Sequence, residues 1–124
     1  MLASIFHSLF PKPLSPEEMT EIKEFVDNAI TSNHIVVFSK SYCPYCLKAK
    51  TLLKNEYGDV PAFVVELDTR KDGSAIQNYL EEMTGQRTVP SIFIHEKHIG
   101  GSDDLAALQT SGKLRDLINE APDS

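Results

Sequence analysis

The chain has 124 residues, with 18 acidic side chains against 12 basic ones for a net charge of −6. That length makes one compact domain, large enough to bury a core without a disulfide or a metal to hold it. The acidic balance argues against a nucleic-acid surface, and no run approaches the roughly eighteen apolar residues that a membrane span needs. A soluble protein with neither kind of partner is expected.

In chain order, Met1 to Leu14 is apolar, carries one lysine and no acid, and breaks at Pro11 and Pro13. It lacks the basic start of a secretory peptide and the arginines of a transit peptide, so an N-terminal extension is expected over 1–14 and the folded domain over 15–124. Ser15-Pro16-Glu17-Glu18 then reads as an N-cap, a proline at the first helical position and acids in the first turn. Met19, Ile22, Phe25, Val26, Ala29 and Ile30 follow at helical spacing, and the helix is expected to end near Ser32-Asn33. Ile35 to Phe38 is apolar on both faces, the pattern of a strand buried between helices.

Cys43-Pro44-Tyr45-Cys46 comes next and holds the only two cysteines. A strand that delivers Cys-x-x-Cys to the start of a helix is the layout of a thiol redox site. Thiolate is the attacking form, and the partial positive charge of a helix N-terminus favours it. Cys43 is therefore expected to be the nucleophile. Cys46, one helical turn further on, is close enough to resolve a mixed disulfide formed on Cys43. Lys40, Lys48, Lys50 and Lys54 gather nearby, and a local positive field would lower a thiol pKa. A structural disulfide closing so small a loop would restrain little of the unfolded chain. Zinc would have to recruit His95 and His98, whose distance from Cys46 in the chain fits no short finger spacing. No metal site is expected.

Leu47, Ala49, Leu52 and Leu53 carry the helix onward, and Tyr57-Gly58-Asp59 ends it. Ala62 to Leu67 is expected as a second strand, parallel to the first by the strand-helix-strand rule. Ser74 to Met83 reads as a helix with Ala75, Ile76, Tyr79, Leu80 and Met83 on one side, closed by Thr84-Gly85. Thr88-Val89-Pro90 precedes a strand over Ser91 to Ile94, which turns at Glu96-Lys97 into His98-Ile99. An X-Pro bond is the one place where a cis peptide is cheap, and a cis Pro90 would turn the Val89 backbone outward as an edge for an extended peptide. Gly100-Gly101 break the hairpin and let a backbone approach closely. Ser102 or Asp103 would cap a helix to Gln109 whose free N–H groups suit a carboxylate, and a last helix runs from Gly112 to Asn119. The order gives an α/β fold, a four-stranded mixed sheet with helices on both faces.

Ser39-Lys40-Ser41-Tyr42-Cys43-Pro44-Tyr45-Cys46, Asp72 to Gln77, Gly85 to Pro90 and His98 to Leu105 together resemble the dithiol glutaredoxins, in family order, over about Phe25 to Glu120. The resemblance implies a thioredoxin-like fold and glutathione as co-substrate. It implies reduction of glutathione mixed disulfides through Cys43 alone, with Cys46 needed only for protein disulfides. Lys40 and Gln77 match the positions that hold the glycyl carboxylate, with Arg87 helping by charge. Thr88, Val89 and Pro90 match the segment that pairs with the cysteinyl part, and Tyr45 the ring beside it. Gly101, Ser102, Asp103 and Asp104 match the helix start that receives the γ-glutamyl end, although many relatives carry serine where this chain has Asp103. The partners implied are glutathione and glutathionylated or disulfide-containing proteins, met by a monomer. The cytoplasm is the compartment expected, with the mitochondrion the alternative that the apolar extension keeps open. Iron–sulfur binding by a glutathione-ligated dimer is the minority alternative, since Pro44 resembles the stiffer residue of relatives that bind no cluster.

Overall fold

The computed structural model describes residues 13–120; the expectation for Met1 to Lys12 lies outside them. Helix α1 spans Pro16–Ser32. Its start is closed reciprocally: the Glu18 N–H donates to Ser15 Oγ at 3.1 Å and the Ser15 N–H donates to Glu18 Oε1 at 3.1 Å. Such a box satisfies two of the amides that a helix end leaves open. Ile22, Val26, Ala29 and Ile30 are buried as their spacing predicts. Met19 is not part of that stripe, being 57% exposed.

Strand β1, Ile35–Ser39, is wholly buried, and it leads into α2, Pro44–Glu56. Strand β2, Ala62–Glu66, pairs parallel with β1, Ile35 opposite Ala62 and Ser39 opposite Glu66. The strand stops one residue short of the expected Leu67, because Leu67–Thr69 coil into a short 3-10 turn. Helix α3 covers Gly73–Thr84 and ends on Gly85 at φ 81, a left-handed position that suits glycine.

Strands β3, Ser91–Ile94, and β4, Lys97–Gly100, form the antiparallel hairpin. Its turn sits one residue earlier than the sequence suggests: His95 and Glu96 take φ 48 and 69, and Lys97 already belongs to β4. Two central residues with positive φ make the turn whose twist matches that of its strands. The register shifts between Ile92 and Phe93, a bulge that turns β4 as it nears the site. Helices α4, Ser102–Thr110, and α5, Lys113–Asn119, complete the domain.

The strand order is β2-β1-β3-β4. Alternate residues of a strand point to opposite faces, so β1 serves two cores. Val36 and Phe38 pack with α1 and α3. Ile35 and Val37 pack with α2, α4 and α5 through Ala49, Leu53, Leu105, Leu114 and Ile118. The mixed sheet with helices on both faces is therefore as expected. Leu47 and Met83, both placed in apolar stripes by their spacing, are 62% and 41% exposed. They fall at the ends of their helices, where no neighbouring element covers them.

Gly73 fixes how α3 meets the 3-10 turn. A Cβ there would lie 1.9 Å from the Leu67 carbonyl oxygen, so only glycine allows that approach.

Candidate active site

The redox motif stands where β1 hands the chain to α2. The Cys43 N–H donates to the Lys40 carbonyl at 3.0 Å, closing the turn. Cys43 is the N-cap residue and Pro44 the first residue of the helix, which its ring pre-shapes. The two thiols are free and differently housed: Cys43 is partly exposed, whereas Cys46 is fully buried.

Their acidities diverge accordingly. Partial burial works to raise the Cys43 pKa, but the Cys46 N–H, the Cys46 thiol and the Tyr45 N–H oppose it, Lys50 adds its charge, and the net direction is down. Burial dominates at Cys46 and pushes its thiol up, against the Lys40 N–H, which donates to the sulfur at 3.5 Å. The helix start therefore does more for Cys43 than the lysines around it. Lys50 adds its charge at Cys43 behind those hydrogen bonds, and its ammonium is also paired with Glu66 at 2.9 Å. The Lys40 charge helps to hold down the Asp68 carboxyl, after the two hydrogen bonds that Ser41 donates to it. Lys48 and Lys54 are exposed.

Beside Cys43 opens a cleft of about 420 Å³ lined by Tyr45, Gln86, Thr88, Val89, Pro90, Gly101, Ser102, Asp103 and Asp104. Eight of these nine are residues that the sequence singles out, drawn from three separate segments of the chain. The Cys43 thiol reaches the Val89 carbonyl at 3.9 Å, a weak contact that sets this sulfur at the cleft edge. The Val89–Pro90 peptide is cis. Tyr45 is 61% exposed, free to lie beside a ligand.

At the far wall, α4 begins at Ser102 with Gly101 as its N-cap, not with Ser102 or Asp103 in that role. The cause is Asp104, whose Oδ2 accepts the Gly101 N–H at 2.9 Å. Ser102 is buried and Asp103 exposed.

Lys40, Gln77 and Arg87 lie outside the lining of the cleft. The Gln77 amide donates to the Arg87 carbonyl at 2.7 Å. The Arg87 guanidinium donates to Asn78 at 2.6 Å and to Glu81 at 3.1 Å, which holds it along α3.

The ninth lining residue, Gln86, is one that the sequence does not flag. Its side-chain amide donates to the Thr88 carbonyl at 2.9 Å and to the Pro90 carbonyl at 3.0 Å, bracing the loop on both sides of Val89. Its own N–H donates to Thr84 Oγ1 at 3.0 Å. The position beside the Thr-Val-Pro segment is the only signal that could have pointed to it. A second cavity, of about 340 Å³ between α2 and β2, is lined by Lys50, Leu53, Tyr57, Pro61 and other residues without a thiol.

The two histidines considered for zinc are occupied otherwise. His95 hydrogen-bonds the Ile118 carbonyl at 3.0 Å, and His98 pairs with Ser91 Oγ at 3.2 Å. Among the described residues there is no group of three or more His, Cys, Asp or Glu that could hold a metal ion.

Residues 35–99, from the start of β1 into β4, match the family model described as Glutaredoxin. The chain belongs to the glutaredoxin family. It is 54% identical over 95 residues to Glutaredoxin-C4 of Arabidopsis thaliana, covering 77% of this chain and 69% of that one. It is 53% identical over 103 residues to a glutaredoxin of Ricinus communis, covering 83% and 95%. Among solved structures, the buckwheat glutaredoxin–glutathione complex superposes with a TM-score of 0.77 at 39% identity, over 85% of this chain and 94% of that one. The wheat glutaredoxin gives 0.74 at 47% identity, over 86% and 94%. As a glutaredoxin with a thioredoxin-like fold, the chain is a glutathione-dependent thiol oxidoreductase, with glutathione its co-substrate.

Proposed function

We propose that this glutaredoxin runs two reactions that share one nucleophile. Cys43 thiolate attacks a glutathione mixed disulfide, releases the protein or small-molecule thiol and keeps the glutathione. A second glutathione then displaces it, and Cys46 takes no part. With a protein disulfide, Cys43 becomes joined to the substrate, and Cys46 attacks that mixed disulfide to release the second thiol.

The observation that carries this reading is the asymmetry of the two sulfurs. Cys43 caps a helix, is reachable and has its pKa lowered; Cys46 is buried and has its pKa raised. A low pKa supplies thiolate at neutral pH, and a buried thiol is reached only by the sulfur next to it.

Glutathione is placed with its cysteinyl part along Thr88, Val89 and Pro90 beside Tyr45, and its γ-glutamyl end at Gly101 to Asp104. All of these residues line one cleft at the nucleophile. The glycyl carboxylate is assigned to Lys40 and Gln77, with Arg87 adding charge. Glutathionylated and disulfide-containing proteins are the substrates, a monomer is the acting form, and the cytoplasm is the compartment, with the mitochondrion as the alternative.

The test is the pair Cys43→Ser and Cys46→Ser. Cys43→Ser is expected to abolish reduction of a small glutathione mixed disulfide and Cys46→Ser to leave most of it. Equal loss in both variants refutes the division of labour.

A further inference from the structure

Ser39 closes β1 and is fully buried. It follows Ile35 and Val37 on the face of the sheet that α2 covers, since alternate residues of a strand share a face. The next residue, Lys40, donates its N–H to the Cys46 sulfur at 3.5 Å. The Ser39 hydroxyl oxygen has no hydrogen-bond partner among the described residues. Buried hydroxyls are ordinarily bonded, so an orphan at this position needs a reason.

The reason on offer is the Cys46 sulfur, which the adjacent amide bonds. Cys46 is fully buried as a thiol, and to attack it must carry negative charge where water cannot reach. Donors already aimed at the place where charge develops cost no reorganisation at the moment of reaction. The hydroxyl belongs to the residue directly before that amide, on the sheet face that α2 covers, and it favours the charged form of Cys46, the same direction as the Lys40 N–H.

We propose that Ser39 is a catalytic residue of the resolving step, its hydroxyl and the Lys40 N–H together hydrogen-bonding the thiolate that forms on Cys46. The proposal rests on Cys46 being the resolving thiol. In that step the Cys46 S–H bond breaks and its sulfur attacks the Cys43 sulfur. A Cys43–Cys46 disulfide forms, and the bond from Cys43 to the substrate sulfur breaks. The electron pair leaves with the substrate sulfur, which takes up the proton. The substrate is reduced and the enzyme dithiol oxidised, with no further reagent.

Ellman's reagent separates the two sulfurs in one experiment. Attack by Cys43 releases a first equivalent of thionitrobenzoate, and attack by Cys46 on the resulting mixed disulfide releases a second. In the full chain, Ser39→Ala is expected to slow the second phase about tenfold at neutral pH and to move its pH midpoint up by about one unit, with the first phase altered less than twofold; hydrogen bonds to charged groups have that weight. Ser39→Thr, which keeps the hydroxyl, is expected to restore the second phase. Ser39→Gly removes the hydroxyl without adding volume and replaces Ser39→Ala if that variant does not fold. A second phase within twofold of the wild type in the hydroxyl-free variant overturns the proposal. So does an equal slowing of both phases, which marks a structural effect. A second equivalent from Cys46→Ser would instead overturn the assignment of Cys46 itself.

Discussion

Asp104 Oδ2 accepts the Gly101 N–H at 2.9 Å, so the helix start assigned to the γ-glutamyl end carries an acid of its own. The same carboxylate lies against Gly100, where an added Cβ would stand 2.3 Å from Oδ2 at a backbone φ of 117. Removing it with Asp104→Ala deletes a capping interaction and is expected to lower stability by about 1 kcal/mol. Urea midpoints measure that loss. Asp104→Asn separates the cap's shape from its charge: glutathione KM is expected to rise in the alanine variant more than in the asparagine one.

Gln86 holds the loop that the cysteinyl part is assigned to, through the carbonyls of Thr88 and Pro90. Gln86→Leu keeps the bulk and removes both donors. The expected result is a higher KM for glutathione with kcat changed less, because the loop positions a ligand and meets the Cys43 sulfur only through the weak contact at the Val89 carbonyl. A fall in kcat at unchanged KM would contradict the bracing role.

The acidity of Cys43 can be read from iodoacetamide alkylation against pH. With its pKa lowered, thiolate persists to lower pH, and the midpoint is expected below the free value of about 8.5. Lys50→Met removes a lysine charge that lowers the Cys43 pKa, so the midpoint is expected to rise in that variant. Cys46 is expected to stay unlabelled where Cys43 reacts.

Tyr79 donates its hydroxyl to Asp27 Oδ1 at 2.9 Å, and burial first, then that hydrogen bond, push its pKa up to about 12. A raised native pKa contributes stability that is complete below the unfolded value of about 10 and is lost as pH rises through 12. Spectrophotometric titration of the four tyrosines should show Tyr79 ionising late, with Tyr57, which burial also pushes up, above the ordinary value as well. Tyr79→Phe is expected to remove that late step and to flatten the decline of stability above pH 10, at a cost of about 1 kcal/mol at neutral pH.

Gly73→Ala tests packing alone. The added methyl would meet backbone at 1.9 Å, which no rotamer can relieve. Overpacking of this kind costs about 1–3 kcal/mol, and thermal unfolding of the variant measures it.

The fold was legible because its signals are local. Ser15-Pro16-Glu17-Glu18 writes out a helix start, and the Ile35 to Phe38 run writes out a strand covered on both sides. The lining of the cleft was legible through motif resemblance, although its residues come from distant segments. What escaped was set by contacts that no short window contains. Met19 has helical spacing yet no neighbour to bury it. The hairpin turn moved to His95 and Glu96 because β4 pairs from Lys97, a matter of register between strands. Gln86 and Ser39 are ordinary polar residues in sequence; two carbonyls give the first its meaning, and burial without a partner singles out the second.

Cys43, the proposed nucleophile, is also the residue that caps α2, and as a thiol it makes no capping bond. The amides at that end are satisfied best by a negatively charged sulfur, and a disulfide carries no such charge. Whatever favours the thiolate therefore favours the reduced protein over the oxidised one, and a stabilised reduced form makes for a stronger oxidant. The helix cap thus biases the pair toward accepting electrons.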